Sequence, residues 1–326
     1  MIKAYSRRDG RVVDRDLSPG DEAPADAIWI DALHPSEEER AYLSDILSID
    51  LPTRADMEEI EASSRIYVED GISFMTAPIV AKADSGRPEL GAMTFVLTPR
   101  LLVTLRFVDP KSIPIFVQRL QRQPDLCDNA HETLVSLLET VVDRCADVVE
   151  LIAKRLESLS ERIFRADAAS PRRHPEAELH DVMRVIGRSG ELMGKMRDSL
   201  AGLERIAAYL SSTETVQGMK DVRVRLKTVQ RDLRSLSEHS NFQSQRISFL
   251  LDATLGVINI EQTAIIKIFS VAAVAFLPPT LIASIYGMNF DLMPELSWPF
   301  GYPMALALML ASAVLPLWFF RRRGWL

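Results

Sequence analysis

Charged and apolar residues are interleaved along most of the chain and then separate sharply after about residue 262. From Ile268 to Tyr286 there are nineteen residues without a charge, and from Tyr302 to Phe320 a further nineteen. At about 1.5 Å rise per residue, each run makes a helix about 28 Å long, close to the hydrocarbon thickness of a bilayer. One such run could be a buried core helix. Two of them at the C-terminal end, joined by a short connection, predict a transmembrane hairpin with lipid as its surroundings. Arg321, Arg322 and Arg323 follow the second run, whereas the connecting loop carries Asp291 and Glu295 and no Lys or Arg. The positive-inside rule then puts both termini in the cytoplasm and the loop outside. Trp298, Phe300, Tyr302, Trp318 and Trp325 fall where an aromatic belt belongs.

Upstream, three stretches fit an amphipathic helical period: 130–168, 174–212 and 216–288. The segment Ala168 to Pro175 separates the first two, and Ser211-Ser212-Thr213 is the expected cap of the third. A helix of about 70 residues would be about 105 Å long, far beyond an ordinary globular helix. It is expected to start in the cytoplasm as a stalk and continue into the bilayer. The organisation expected is an α/β domain over 1–128 and an antiparallel helical pair over 129–215. The stalk and first span follow over 216–288, with the membrane part at about 267–287. A loop (289–301), a second span (302–320) and a basic tail (321–326) complete the chain.

A stripe at alternating spacings of three and four runs along the long helix: Asp252, Gly256, Asn259, Thr263, Ile266, Ser270, Ala273, Leu277, Thr280, Ser284 and Gly287. It keeps a period of 3.5 over five heptads, yet is small or polar where a dry coiled coil would place Leu or Ile. Close packing through small residues is one explanation. A ring of identical helices around a hydrated axis is the other, favoured by Asp252 and Asn259, because a polar seam needs water or ions. Lys267, beside the stripe, reads as an anchor reaching to the headgroups. Pro278, Pro279, Pro303 and Pro316 interrupt the spans. Either they only kink the helices, with Thr280 and Ser284 satisfying freed carbonyls, or those carbonyls face a water-filled pore.

The 47% hydrophobic content is ordinary and conceals this asymmetry. A net charge of −7 excludes nucleic acid as the main partner. Residues 1–10 hold no apolar run of the signal-peptide kind. Cys127 and Cys145 have neither metal nor redox spacing and read as thiols in a reducing compartment. His34, His131, His174, His180 and His239 are scattered and expected at the surface. No P-loop, GxSxG or HExxH is present, so the chain does not read as an enzyme, and no ATP site is available to drive transport.

Tyr286-Gly287-Met288-Asn289-Phe290 ends the first span, and Met293-Pro294-Glu295-Leu296 follows in the loop. This pair of motifs resembles the CorA magnesium channels of the two-span Gly-Met-Asn superfamily. The segment from Asp252 through Asn259-Ile260-Glu261-Gln262 and Pro278-Pro279-Thr280 to Arg323-Gly324-Trp325-Leu326 resembles the enterobacterial-type branch. Upstream, Trp29-Ile30-Asp31-Ala32 and Leu102-Val103-Thr104-Leu105-Arg106 look like the family's cytosolic domain. The resemblance implies a funnel-shaped homopentamer, with cytosolic αβα domains and five first-span helices lining the pore. It implies Asn289, Thr280, Leu277, Phe269, Ile266, Thr263, Asn259 and Asp252 as pore-lining positions. The narrowest point falls at Phe269 or at Ser270.

Mg²⁺ is a hard ion that prefers oxygen ligands and gives up its waters reluctantly. Gly287, Met288 and Asn289 would form a filter whose neutral acceptors hold the hydrated ion without trapping it. Asn289 and Asp252 are the expected metal-facing groups. The alternative role for Gly287 or Asn289 is a helix C-cap in left-handed geometry. Asp291 and Glu295 either draw cations to the outer mouth or are simply solvated. The resemblance further implies transport of Mg²⁺, with Co²⁺ and Ni²⁺, across the inner membrane, and closure when cytosolic Mg²⁺ binds beside the stalk. Asp221, Asp232 and Glu238 on that stalk read more simply as a solvated face. A ZntB-like zinc transporter of the same fold is the near alternative. The absence of His and Cys from the stripe argues against it, because Zn²⁺ favours nitrogen and sulfur. A membrane-anchored signalling or scaffold protein is the distant one, with an outer loop too short for a sensing domain.

Overall fold

The computed structural model describes residues 1–8, 10–22, 24–59, 61–164, 175–288, 293–294 and 298–324. The chain forms two compact units, Met1–Leu251 and Asp252–Leu326.

The first unit is built on strands β1 (Ile2–Arg8), β2 (Arg11–Leu17), β3 (Ala27–Leu33), β4 (Ile66–Glu69), β5 (Ile72–Ala81), β6 (Glu89–Leu97) and β7 (Leu102–Arg106). They form one seven-stranded sheet in the order β2-β1-β3-β7-β6-β5-β4. All pairings are antiparallel except β3 with β7, which runs parallel with Trp29 opposite Leu102 and Leu33 opposite Arg106. The two sequence segments that look like the family's cytosolic domain are therefore neighbours at the centre of the sheet.

Alternation along these central strands sends side chains to both faces, and both faces are covered. On one face, Ile30, Ala32, Phe74, Val96, Val103 and Leu105 meet Leu43 of α1 (Glu37–Leu47) and Met57 of α2 (Arg54–Glu58). Helix α1 is opened by a capping box in which Ser36 and Glu39 satisfy each other's backbone amides. A further turn, α3 (Ala62–Arg65), leads into β4. On the other face, Trp29 stacks on Tyr5 and meets Phe116 of α4 (Ser112–Arg122) edge-on. Helices α5 (Ala130–Phe164) and α6 (Pro175–Ser212) complete that layer, giving an α/β/α unit. Gly202 of α6 lies against β5, where a Cβ would stand 2.8 Å from the Pro78 ring and 3.0 Å from the Ala77 Cβ.

A buried polar lock ties β3 to β7. The Arg106 guanidinium donates to both Asp31 carboxylate oxygens at 2.9–3.1 Å, and both side chains are 4% exposed. Thr104 donates to Asp31 at 2.7 Å and accepts from the Trp29 indole at 3.0 Å. Every strong donor in the group has an acceptor, as burial requires.

The expected third helix over 216–288 is divided. A short helix α7 (Glu214–Gly218) precedes α8 (Lys220–Tyr286), and Met219, with φ −96 and ψ 96, interrupts them. Ser211, Ser212 and Thr213 do not cap the long helix. Their hydroxyls donate back to the Ala208, Tyr209 and Leu210 carbonyls and end α6 instead. Helix α8 is fixed at its start by Arg225, which donates to both Glu139 oxygens at 2.8 Å and to Ser136 at 2.7 Å. Arg119 of α4 holds the same carboxylate from the other side. His131, expected at the surface, is 8% exposed, and His174 lies outside the described residues. Both cysteines are buried and free.

In the second unit α8 runs through Pro278 and Pro279 to Tyr286, and α9 spans Gly301–Arg322, slightly longer than the expected 302–320. The most apolar eighteen-residue windows of these helices are only 11% and 6% buried. They are not the core helices of a water-soluble fold, which would be covered by their own chain.

Candidate functional site

Burial in the second unit divides α8 into two faces. Among the described residues there, only Thr254, Val271 and Ala275 of α8 and Gly301 and Ala305 of α9 are buried. Small residues at these positions let two helix backbones approach closely. At 3.6 residues per turn, Val271, Ala275, Pro278 and Ile282 share one face, and Ser270, Ala273, Leu277, Thr280 and Ser284 lie roughly half a turn away. All eleven stripe residues, from Asp252 to Gly287, are exposed. The face carrying the small and polar residues is left uncovered by the chain, as are Ile268, Phe276 and Leu281 on the flanks of α8. Phe269, 72% exposed, stands at the edge of this face beside Ser270.

The stripe presents acceptors. The Thr263 hydroxyl donates to the Asn259 carbonyl and the Thr280 hydroxyl to the Phe276 carbonyl, each at 2.7 Å. With its proton committed to the helix, each oxygen turns only lone pairs outward, the polarity that suits a cation or its water shell. Thr280 does not serve the carbonyls freed by the prolines. Pro278 and Pro279 withdraw donors from Val274 and Ala275, one turn below, and Ala275 is on the buried face. The oxygen atoms that the described stripe presents on Thr263 and Thr280 are side-chain ones.

At the upper end, the Gly287 amide donates to the Ala283 carbonyl at 2.9 Å and the Met288 amide to that of Ile285 at 3.3 Å. Gly287 is not among the residues with positive φ, so it is not a left-handed cap. Its amide closes the last turn of α8, and it leaves the end of the stripe without a side chain. Met288 is 45% exposed. Asn289, Asp291 and Glu295 lie outside the described residues. At the lower end Asp252 is exposed. No group of three or more His, Cys, Asp or Glu side chains able to hold a metal occurs among the described residues. The described stripe is thus a line of oxygen acceptors and small side chains, suited to a weakly held, hydrated ion rather than to a chelated one.

Sequence reasoning found the stripe from its period. It missed the covered face opposite, because Val271, Ala275, Gly301 and Ala305 are ordinary residues of an apolar run. It also missed the lock of Asp31 and Arg106, whose partners are 75 positions apart.

The family model for the CorA-like Mg²⁺ transporter protein matches residues 24–322. A relative from Pasteurella multocida, the magnesium transport protein CorA, is 36% identical over 327 residues, covering 100% of both chains. The complete CorA magnesium transporter structure from Methanocaldococcus jannaschii matches with a TM-score of 0.74 at 20% identity, over 100% of this chain and 99% of that one. The ZntB cytoplasmic domain from Vibrio parahaemolyticus matches with a TM-score of 0.54 at 10% identity, over 79% of this chain and 97% of its own. The two solved structures speak for the fold, and the full-length sequence match speaks for descent. The chain belongs to the CorA-like Mg²⁺ transporter protein family.

Proposed function

We propose that this chain is one subunit of a passive influx pathway for hydrated Mg²⁺, with Co²⁺ and Ni²⁺ as further cargo, across the bacterial inner membrane. The observation that carries the reading is the uncovered acceptor stripe on the side of α8 opposite its buried face. A small, polar face left bare in an apolar helix needs copies of itself and water around it. Five copies around one axis would supply both, with Gly287, Met288 and Asn289 as the filter at the outer end. Asp291 and Glu295 would raise the local cation concentration outside. The termini would be cytoplasmic, and cytosolic Mg²⁺ beside the stalk would close the path. The membrane potential suffices to drive entry, at about 4.6 kcal/mol per 100 mV for a doubly charged ion.

Zinc transport on the same fold is disfavoured by the stripe, which holds no His or Cys. The decisive experiment is uptake of Mg²⁺, Co²⁺, Ni²⁺ and Zn²⁺ into proteoliposomes under an imposed potential. Mg²⁺ uptake that collapses in Asn289→Ala and in the stripe variant Ala273→Leu is the expected result. Full uptake by both variants, or uptake of Zn²⁺ alone, would remove the proposal.

A further inference from the structure

Helices α5 and α6 run antiparallel, and their charges can be followed in register. Arg162 of α5 donates to Asp181 of α6 at 3.0 Å. Seven residues back along α5 and seven forward along α6, two turns in each helix, the same register brings Arg155 opposite Arg188. Where the first level has an ion pair, the second has two like charges. Both arginines line one cavity of about 280 Å³, whose other walls are the β5–β6 turn, with Asp84, Ser85, Gly86 and Pro88, and the apolar Val185 and Leu192 of α6. Neither guanidinium has an ion pair or side-chain hydrogen bond among the described residues. Like charges placed across a helix pair repel and lower stability unless something sits between them.

The carboxylates close to hand are already committed. Asp84 is held by Lys111 at 2.5 Å and by Arg144 at 2.8 Å, and the hydrogen bond from Lys111 is the main cause that draws its pKa below the usual carboxylate value. Glu191, three residues past Arg188, is bonded to Lys195 at 2.6 Å, and that ammonium also donates to the Pro88 carbonyl. With Asp84 neutralised twice over, the cavity keeps a clear excess of positive charge. Its arginines are one half-buried and one facing solvent, so a soluble ligand has access. Two planar guanidinium forks that line one cavity from facing helices match the several oxygens of a phosphate group, which each can bond in pairs.

We propose that this cavity is a binding site for a soluble phosphate-bearing anion, recognised by Arg155 and Arg188. It lies in the α/β/α unit, and it stands or falls independently of the ion path. The test is calorimetric titration of the full-length protein in detergent with pyrophosphate in Mg²⁺-free buffer, against sulfate at matched ionic strength. Saturable binding of pyrophosphate is expected, and it should weaken at least about tenfold in R155Q/R188Q. R188D should also abolish binding while melting no lower than the parent, because it recreates the ion pair seen at Arg162 and Asp181. R184Q, on α6 outside the cavity, should bind as the parent does. Absent or unsaturable binding, equal binding of sulfate, or affinity unchanged in R155Q/R188Q would overturn the proposal. So would arginine-dependent capture of phosphatidylglycerol in mixed micelles without pyrophosphate binding, which would assign the pair to a lipid headgroup.

Discussion

Helix α6 carries glycines in two environments, and the same substitution should act on them with opposite sign. Replacing a glycine inside a helix by alanine gains about 1 kcal/mol of helix propensity. At Gly194 nothing stands within 4 Å of the added Cβ, so the gain is kept. At Gly202 the Cβ meets the Pro78 ring at 2.8 Å, the Ala77 Cβ at 3.0 Å and the Ala77 Cα at 3.3 Å. None of these can swing aside, since Ala77 is fully buried in β5 and Pro78 is a ring closed on the backbone. Overpacking of this kind costs about 1–3 kcal/mol, so Gly202→Ala should lose about 0–2 kcal/mol net. Thermal melts of the detergent-solubilised chain, followed by intrinsic fluorescence, separate the two. For a unit of this size the rise for Gly194→Ala should be about 2–4 °C, with a fall of similar size for Gly202→Ala. Should Gly202→Ala melt at or above Gly194→Ala, the close seating of α6 on β5 is wrong.

Three other outcomes are expected. Asp31→Asn strands the buried Arg106 charge and should cost about 3–5 kcal/mol in denaturant unfolding; a loss under 1 kcal/mol would show that Asp109 alone can hold it. His131 sits buried with its Nδ1 unpartnered, and burial holds its pKa below the usual 6.5. The unfolded chain therefore takes the proton first as pH falls through 6.5, so stability is complete above that pH and declines below it, by up to about 1.4 kcal/mol per pH unit. Urea melts between pH 8 and 5.5 should show this slope in the parent and lose it in His131→Gln. Thr280→Val keeps the shape and removes the outward acceptor; Mg²⁺ flux should fall about fivefold, the worth of one hydrogen bond of about 1 kcal/mol, and equal flux would strip the hydroxyl of its role.

The sequence made the C-terminal third largely legible, because two charge-free runs and a stripe with a 3.5-residue period are local signals. The same locality explains what it hid. The interruption at Met219 is marked only by Gly218 before it, a weak signal in a helical pattern, and the serines upstream looked like a cap for the helix to come rather than an end to the one behind. The depth of His131 depends on an α5 face buried by elements that the local pattern does not identify. The repulsion between Arg155 and Arg188 appears only after α5 and α6 are set in register, and that register is fixed by Arg162 and Asp181 across a 19-residue separation. Thr280 looked available to carbonyls freed by proline, yet helix geometry brings its hydroxyl to Phe276.

The period of the exposed stripe also fixes a handedness. A row of residues every 3.5 positions slips about 20° per heptad on a helix of 3.6 residues per turn, so between Asp252 and Gly287 it drifts by about 100° around α8. A bundle of straight, parallel copies could not turn the whole row toward one line. Copies that do so must wind about one another in a left-handed sense. If such copies enclose the proposed ion path, one variable, the tilt of the helices, sets its width both at Asp252 and at Gly287. A small unwinding at the soluble end would then be felt at the far end without any residue changing its rotamer.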